Sequence, residues 1–429
     1  MTSTLPPITE RPTPAAGAVA APVASPPPAA ARPRRERLLS LDVFRGLTVA
    51  GMLLVNDPGS WGAIYPPLEH AEWHGWTPTD LIFPFFLFIA GITTQLSLNA
   101  RRAQGADERD IVRQILRRGV LIFLFGLAVN FFPGFQWGDV PGIAHADVAQ
   151  RIGYRLEHLR IFGVLQRIGV AYTLAALLTL RTTLKQQVVI LATLLYGYWF
   201  LMTVAPVPGS GGVMGQLLLH QPGATLDAWL DRTILTPNHM WVGGDGLRDP
   251  EGLLSTIPAV GTAMFGNLAG RWIGQQGRPI HERLSGMFAA GAIGMMLGLM
   301  WHWSFPINKS LWTSSYALFC AGMASVALAT VIWLVDVQQW KAWATPFVAF
   351  GMNPMLAFVG SGITARMIYT ILRVNWDGRP ISPVEATYRT FVGWGLEPRN
   401  ASLLFALCFV GAFYLVLRAC LKRGIVLKV

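Results

Sequence analysis

The long apolar segments of this chain constrain its fold more than any other feature. A window of about 20 residues, the length of helix that crosses a bilayer, identifies ten of them. Only 13% of the 429 residues are charged, about half the usual fraction in soluble proteins. The sequence therefore predicts an all-α, polytopic integral membrane helix bundle with about ten transmembrane helices, near residues 39–57, 79–98, 114–132, 161–180, 187–206, 253–272, 284–303, 311–335, 346–370 and 401–420.

Basic residues predict the orientation of these spans. Short connecting segments such as NARRAQGADERDIVR and GQQGRPIHER are rich in arginine, which predicts a cytoplasmic location. The longer segments, among them 58–78 and 207–252, are expected to face outside, although Arg151, Arg155 and Arg160 weaken the contrast. Both termini are then predicted to be cytoplasmic. The net charge of +11 is explained by this topology, and no pattern of basic and aromatic residues indicates nucleic-acid binding.

Residues 1–36 differ in composition from the rest of the chain. They are rich in proline and alanine, contain few large apolar residues and end in a basic cluster. Such a segment buries too little apolar surface to fold, so we predict a disordered cytoplasmic tail followed by a membrane domain over residues 37–429. The tail lacks the order of charged start and apolar core that is typical of a cleaved signal peptide.

One stretch, LEHAEWHGWTPTDLIFPFFLFIAG at residues 68–91, places ionisable groups where the second span begins. Asp80 is followed at once by apolar residues, so its carboxylate needs a partner, and His70 is the nearest suitable group. A carboxylate that bonds an imidazole fixes its tautomer and raises its basicity, which is how a general base is made. The alternative is that Asp80 only caps the helix and that His70 lies at the membrane interface.

Other polar residues interrupt the apolar spans. Asn56 ends the first span, where its amide could orient a carbonyl or an ammonium, or hydrogen-bond a neighbouring helix. Gln166 and Arg167 lie inside the fourth span, and an arginine at that depth must face the bundle or a water-filled cavity. It could neutralise an anionic ligand or pair with Asp42 or Asp80.

The segments predicted to lie outside contain groups that suit a sugar. Asp249 and Glu251 precede the sixth span, and Asn308 and Lys309 occupy a tight turn. Carboxylates and amides bond sugar hydroxyls, and an indole such as that of Trp73 stacks on a sugar ring. Tryptophans are also common at membrane interfaces without any ligand.

At the opposite ends of the spans, the basic residues Arg45, Arg101, Arg102 and Arg271 could bind phosphate groups. Most basic residues there need no explanation beyond membrane topology.

Six segments together resemble a known family, the heparan-α-glucosaminide N-acetyltransferases. They occur in the same order as in that family and extend from about residue 37 to the C-terminus: RLLSLDVFRGLTVAGMLLVN, HAEWHGWTPTDLIFPFFLFIAG, RIFGVLQRIGVAY, DPEGLLSTI, PINKSLWTSSY and GMNPM. No single segment would be specific, but six in order are.

The resemblance implies a transfer of the acetyl group of cytosolic acetyl-CoA to an amino sugar on the far side of the membrane. The family's active-site histidine corresponds to His70, and its asparagine and aspartate to Asn56 and Asp80. His74 occupies a position where the relative has a different polar residue, so no role is transferred to it. We expect the bacterial inner membrane as the location, glucosamine or a glucosamine-bearing fragment as the acceptor, and a homodimer as the assembly that relatives suggest.

This reaction, together with the polar residues noted above, predicts how the two substrates are held. Acetyl-CoA is expected to reach through the bundle, with its nucleotide near Arg45 and Arg271, while Gln166 and Arg167 are assigned to the same ligand. Trp73, Asp249, Glu251, Asn308 and Lys309 are assigned to the sugar. No metal is expected, because the three cysteines, which are Cys320, Cys408 and Cys420, lie in apolar segments without metal-ligand spacing.

Two other functions remain open at this point. A sugar permease with a polar site in mid-membrane would also explain Asp80 and Arg167, although we find no repeated halves or paired broken helices of the kind common in transporters. An O-acyltransferase acting on envelope polysaccharide would use the same donor with a hydroxyl acceptor. Within the transferase, His70 could act as a base or carry the acetyl group itself.

Overall fold

The structure, a computed structural model, describes residues 38–244, 246–275 and 277–427. The tail predicted for residues 1–36 lies outside the described residues. In the described ranges the regular structure consists mostly of helices: α1 (Leu39–Asn56), α2 (Ile82–Ala103), α3 (Glu108–Phe131), α4 (Val148–Glu157), α5 (Val164–Arg181), α6 (Leu184–Val204), α7 (Gly215–Leu218), α8 (Leu226–Ile234), α9 (Thr256–Ile273), α10 (Ile280–Trp301), α11 (Ser314–Ile332), α12 (Thr345–Met352), α13 (Pro354–Arg366), α14 (Pro383–Gly393) and α15 (Pro398–Lys422).

Each of the ten predicted spans overlaps one or two of these helices. Seven helices in the described part of the chain are long and apolar enough to cross a membrane, and a bent pair adds an eighth span if it is counted as one. The remaining two predicted spans overlap α3, which carries Arg117 and Arg118, and α9, which carries Asn267 and Arg271. The chain is therefore a helical, multi-pass membrane protein, while the number ten and the cytoplasmic termini stay predictions.

Close packing of α2 on α9 fixes the centre of the bundle. A Cβ atom on Gly91 would lie 2.1 Å from the carbonyl oxygen of Ala263, and one on Gly266 would lie 2.0 Å from the carbonyl oxygen of Phe88. Only glycine fits at these two positions, and small residues at a helix interface let backbones approach this closely in membranes. This contact fixes the middle of α2 against α9.

One predicted span is broken in the structure. Helices α12 and α13 belong to two segments, Ala342–Met352 and Pro354–Ile371, whose axes differ by 76°. Pro354 cannot continue the hydrogen-bond ladder of α12, and it disfavours a helical conformation of the residue before it. That residue, Asn353, donates to the carbonyl oxygen of Ile425 and accepts from the backbone of Leu427, so the chain end holds the break in place.

The segments that connect the spans at the His70 end are more structured than the sequence indicated. Helices α4, α7, α8 and α14 lie in stretches that we treated as loops. A two-stranded antiparallel hairpin, β1 (Val374–Trp376) with β2 (Arg379–Ile381), departs from the all-α prediction. Its turn is formed by Asp377 and Gly378, both with positive φ, as expected for a two-residue Asp-Gly hairpin turn.

Candidate active site

His70 and Asp80 are in direct contact in the structure. Nδ1 of His70 lies 2.7 Å from Oδ1 of Asp80. The His70 side chain is 47% exposed, whereas that of Asp80 is 1% exposed. A carboxylate on Nδ1 holds the proton on that nitrogen and leaves Nε2 unprotonated, as the basic nitrogen of the ring. The pair thus presents one accessible proton acceptor in a fixed orientation.

The second carboxylate oxygen of Asp80 holds the preceding loop in a folded-back conformation. Oδ2 accepts from the backbone amides of Ala71, at 3.1 Å, and Thr77, at 3.0 Å. The Thr77 hydroxyl donates to the carbonyl oxygen of Glu69, at 2.6 Å, and Oδ2 of Asp80 also lies 3.2 Å from it. Asp80 therefore caps the start of the span and also pairs with His70, so the two interpretations of its role are compatible.

Lys309 completes the charged group around His70. Its Nζ lies 3.0 Å from Nδ1 and 3.3 Å from Nε2 of His70, and 3.5 Å from Oδ1 of Asp80. Burial lowers the pKa of Lys309, and the negative charges of Asp80 and Glu251 oppose that shift. The turn that carries it is held by Asn308, whose Oδ1 accepts from the backbone of Leu311 at 2.9 Å. The geometry places a positive charge directly beside the imidazole.

Arg160 organises the two acidic residues that precede α9. Its guanidinium donates to both oxygens of Asp249, at 2.9 and 2.6 Å, and to Oε2 of Glu251, at 2.5 Å. Burial alone would raise the pKa of Glu251, but the charge of Arg160 holds it below its ordinary value. Burial likewise lowers the pKa of Arg160, and the two carboxylates more than reverse this. Glu251 therefore stays a carboxylate.

A cavity of about 620 Å³ connects these groups to the interior of the bundle, a volume in the range of small-molecule sites. His70, Asp80, Glu251 and Lys309 line it at one end, and Thr48 of α1 lines it deep in the bundle. Along α1, Thr48 is about 12 Å from the end of the helix at about 1.5 Å per residue. The walls between are apolar and come from four helices: Met52 of α1, Phe86 of α2, Ile168 of α5, and Met355 and Phe358 of the broken α13.

The residues predicted to bind acetyl-CoA are not all brought together. Arg45 lies one helical turn beyond Thr48, and Nη1 of Arg45 donates to the carbonyl oxygen of Gly351 at 3.0 Å. Arg271 is exposed at the end of α9 farther from the histidine. Gln166 and Arg167 are buried outside the cavity lining.

Arg167 instead binds the start of α9. It donates to the Gly252 carbonyl oxygen at 3.1 Å and to the Ser255 hydroxyl at 2.5 Å, and its guanidinium lies 5.2 Å from the centre of the Trp312 ring. The predicted pairing with Asp42 or Asp80 is not among its contacts in the described residues. This position is at the His70 end of the bundle, whereas the nucleotide was predicted at the other end.

The residues predicted to bind the sugar also divide into two groups. Trp73, Glu251 and Lys309 line the cavity. Asp249 and Asn308 are fully buried and are used to hold Arg160 and the Lys309 turn. Asn56, which ends the first predicted span, is exposed and lines the cavity. Its amide is therefore available to a ligand.

Sequence reasoning missed two arginines of this site. In the sequence, Arg160 was noted only because it weakens the charge difference between the two sides of the membrane. In the structure it binds Asp249 and Glu251, the two acidic residues predicted to bind the sugar. Arg248 lines the cavity, and its guanidinium lies 4.7 Å from the centre of the Trp73 ring. The available signal was the excess of arginine on the side where the topology rule predicts few. Such residues need a partner at that side of the protein.

These features define a multi-pass helical membrane protein with a histidine–carboxylate pair at the mouth of a cavity between the helices. The family model for the catalytic part of heparan-alpha-glucosaminide N-acetyltransferase matches residues 37–283. The chain therefore belongs to the heparan-alpha-glucosaminide N-acetyltransferase family.

Two full-length relatives are similar over most of this chain. The mouse heparan-alpha-glucosaminide N-acetyltransferase is 29% identical over 381 residues, which cover 78% of this chain and 54% of the mouse protein. The human protein of the same name is 28% identical over 369 residues, which cover 76% of this chain and 52% of the human protein. The chain thus spans about half the length of the curated relatives that it matches.

Proposed function

We propose that this protein is a transmembrane acetyltransferase, which moves the acetyl group of cytosolic acetyl-CoA to the amine of a glucosamine-type sugar on the His70 side of a bacterial inner membrane. The observation that carries the proposal is the His70–Asp80 pair, 2.7 Å apart, at the mouth of a deep apolar cavity. A base beside a narrow passage is what an acyl transfer across a membrane requires.

The cavity fits the acyl arm of the donor. Its apolar walls between Thr48 and His70 would enclose the flexible pantetheine chain and exclude water from the thioester. Arg45 lies one turn beyond Thr48 and is the one predicted cofactor residue next to the deep end of the cavity. The nucleotide would then remain at the end of the bundle that contains Arg45 and Arg271.

The acceptor would lie among the polar groups at the mouth. The carboxylate of Glu251 attracts the sugar ammonium, and the ring of Trp73 offers a face for stacking. His70 takes a proton from the ammonium at Nε2, and the freed amine attacks the carbonyl carbon of the thioester. The new C–N bond forms as an oxyanion develops. In this proposal Lys309 and the amide of Asn56, which line the same cavity as His70, stabilise that charge.

Collapse of the oxyanion completes the transfer. The C–S bond breaks, and the leaving thiolate takes the proton that His70 received. The sugar nitrogen, which became positively charged when it attacked, gives its second proton to the freed Nε2 of His70, which releases it to solvent. The neutral amide product remains with the sugar. A route through an acetylated His70 would use the same residues, with the imidazole Nε2 forming the first bond to the acetyl carbon.

The test uses purified full-length protein, acetyl-CoA labelled in the acetyl group, and glucosamine. Wild type is compared with His70→Ala and with His281→Ala, which alters an exposed histidine at the opposite end of the bundle. Labelled N-acetylglucosamine from wild type and His281→Ala, but not from His70→Ala, is the expected result. Equal product from all three would remove His70 from the reaction. Failure of wild type both to form product and to bind acetyl-CoA would refute the transferase.

A further inference from the structure

A second cavity lies at the end of the bundle opposite His70. Its volume is about 260 Å³, and it is formed by α2 and α3 with Tyr172 of α5. Thr94 is the first residue of α2 that lines this cavity. A helical rise of about 1.5 Å per residue places it about 21 Å from Asp80. Its lining shares no residue with the large cavity. The polar lining residues are Thr94, Ser97, Arg101, Gln114, Arg117 and Arg118.

The three arginines that line this cavity have no acidic partner in the part of the chain that the structure describes. Within the described ranges, the side chains of Arg101, Arg117 and Arg118 form no ion pair with a carboxylate and no hydrogen bond. Nε of Arg118 is shielded from solvent without a partner, and its guanidinium lies 4.9 Å from the centre of the Tyr172 ring, which fixes its direction. Guanidinium groups that line one cavity without a countercharge repel one another, and a bound anion would relieve this repulsion.

Neighbouring arginines on the same two helices differ in this respect. Arg102 donates to the carbonyl oxygen of Leu180, and Arg113 pairs with Asp110 at 3.3 Å. The helix ends therefore offer acceptors to the arginines that point away from the cavity. Those that line it are left for a ligand.

We propose that this cavity is a binding site for a phosphate ester, and that the headgroup of an anionic phospholipid of the surrounding bilayer occupies it. Guanidinium groups bind phosphate oxygens with paired hydrogen bonds. Basic pockets between transmembrane helices on the cytoplasmic side are a recurrent form of lipid recognition. The exposed hydroxyl of Ser97 and amide of Gln114 supply further donors. The same chemistry would accept the phosphate of a soluble nucleotide, and the test separates the two sources.

The test measures lipid retention by native mass spectrometry of the full-length protein, offered phosphatidylglycerol or phosphatidylcholine. The double variant Arg117→Gln/Arg118→Gln removes two of the cations, and Arg113→Gln is the matched control on the same helix, outside the cavity. Wild type and Arg113→Gln are expected to prefer phosphatidylglycerol. In the double variant we expect the ratio of retained phosphatidylglycerol to phosphatidylcholine to fall about tenfold, because each contact between an arginine and an anionic lipid contributes about 1 kcal/mol. Arg101→Gln tests the third cation if the double variant does not fold.

A second arm adds adenosine 3′,5′-bisphosphate. If wild type shows no lipid preference but binds this nucleotide, and the double variant does not bind it, the cavity is a phosphate site for a soluble nucleotide. Equal retention of both lipids by wild type and double variant, without nucleotide binding, would overturn the proposal. No acetyl transfer is measured in either arm, so the result is independent of the proposed function.

Discussion

The ammonium of Lys309 stands 3.0 Å from Nδ1 and 3.3 Å from Nε2 of His70, and so faces both ring nitrogens. Because Nδ1 is engaged by Asp80, the lysine is positioned to stabilise negative charge that forms beside Nε2. Lys309→Met keeps the length of the side chain and removes the charge. We expect kcat to fall about 100-fold, the usual cost of one oxyanion donor.

The control for Lys309→Met is Lys341→Met, an exposed lysine in the segment before α12. It is expected to leave kcat unchanged in the same labelled acetyl-CoA assay. Lys309→Arg restores a cation and should recover part of the loss. A Lys309→Met protein that is folded and retains wild-type kcat would exclude a role for this ammonium in the reaction.

The contact between Asp80 and His70 predicts a specific effect of Asp80→Asn. An amide that still accepts from the backbone of Ala71 and Thr77 must turn its NH₂ group towards His70. That group donates to Nδ1, which moves the imidazole proton to Nε2 and blocks the base. A wrong tautomer of this kind costs about 10⁴-fold in serine proteases.

We therefore expect Asp80→Asn to lower kcat by at least about 100-fold at neutral pH, with little change in the KM for acetyl-CoA. Initial rates over a range of donor concentrations provide the measurement. Glu69→Gln, an exposed carboxylate of the same loop, is the control. A similar loss in both variants would show that the loop is merely destabilised.

The His70–Asp80 contact was predictable because its information is local. The two residues are ten positions apart on one loop, and a carboxylate at the threshold of an apolar helix has few ionisable neighbours. Lys309 and Arg160 were not predictable as partners of these groups. Their contacts join segments that are distant in sequence and depend on how the helices pack.

The helices were predictable to the extent that apolarity defines them. The break at Pro354 escaped notice because a hydropathy window averages over residues 346–370 and does not detect direction. The roles of buried charges depended on packing too. The sequence suggested that Arg167 binds a ligand, but in the structure its hydrogen-bond acceptors are at the start of α9.

Arg160 predicts a stability effect that its position alone does not suggest. Asp249 is fully buried and Glu251 nearly so, and Arg160 is the cation that both contact. Arg160→Met leaves two buried carboxylates without their partner, and breaking a buried pair in this way costs about 3 kcal/mol or more. The melting temperature in detergent is expected to fall clearly.

The triple variant Arg160→Met/Asp249→Asn/Glu251→Gln removes the uncompensated charges as well. It should recover much of the loss in melting temperature. Its KM for the sugar acceptor should still exceed that of wild type, because Glu251 lines the cavity. If the triple variant is no more stable than Arg160→Met, the ion pairs are not the reason for the loss.

The cavity predicts that a bulky residue within it blocks the donor. Met52 lines the passage between Thr48 and the mouth, so Met52→Trp should raise the KM for acetyl-CoA at least about tenfold. Val188→Trp on the exposed face of α6 is the matched control, because Val188 is 50% exposed and lies outside the cavity lining. Unchanged donor KM in a folded Met52→Trp protein would place the acyl path elsewhere.

Asp57, directly after α1, predicts how stability changes with pH. Burial raises its pKa from 3.8 to about 7. Below about pH 4 the carboxyl group is protonated in both the folded and unfolded chain, so it contributes no pH dependence there. Between about pH 4 and 7 the folded state holds a proton that the unfolded state has lost, so the free energy of unfolding falls as pH rises. The upper limit of this loss is about 4 kcal/mol, at about 1.4 kcal/mol per pH unit.

Asp57→Asn carries no charge at any pH and lacks this penalty. The difference in melting temperature between Asp57→Asn and wild type should grow steadily between pH 4.5 and 7 and then level off. If half of the limit of about 4 kcal/mol is realised, this difference should reach several degrees. The measurement is thermal unfolding of both proteins in one detergent over this pH range, with exposed Asp139→Asn as the control. A difference between Asp57→Asn and wild type that does not vary with pH would show that Asp57 is charged throughout, and that its burial is compensated by solvent.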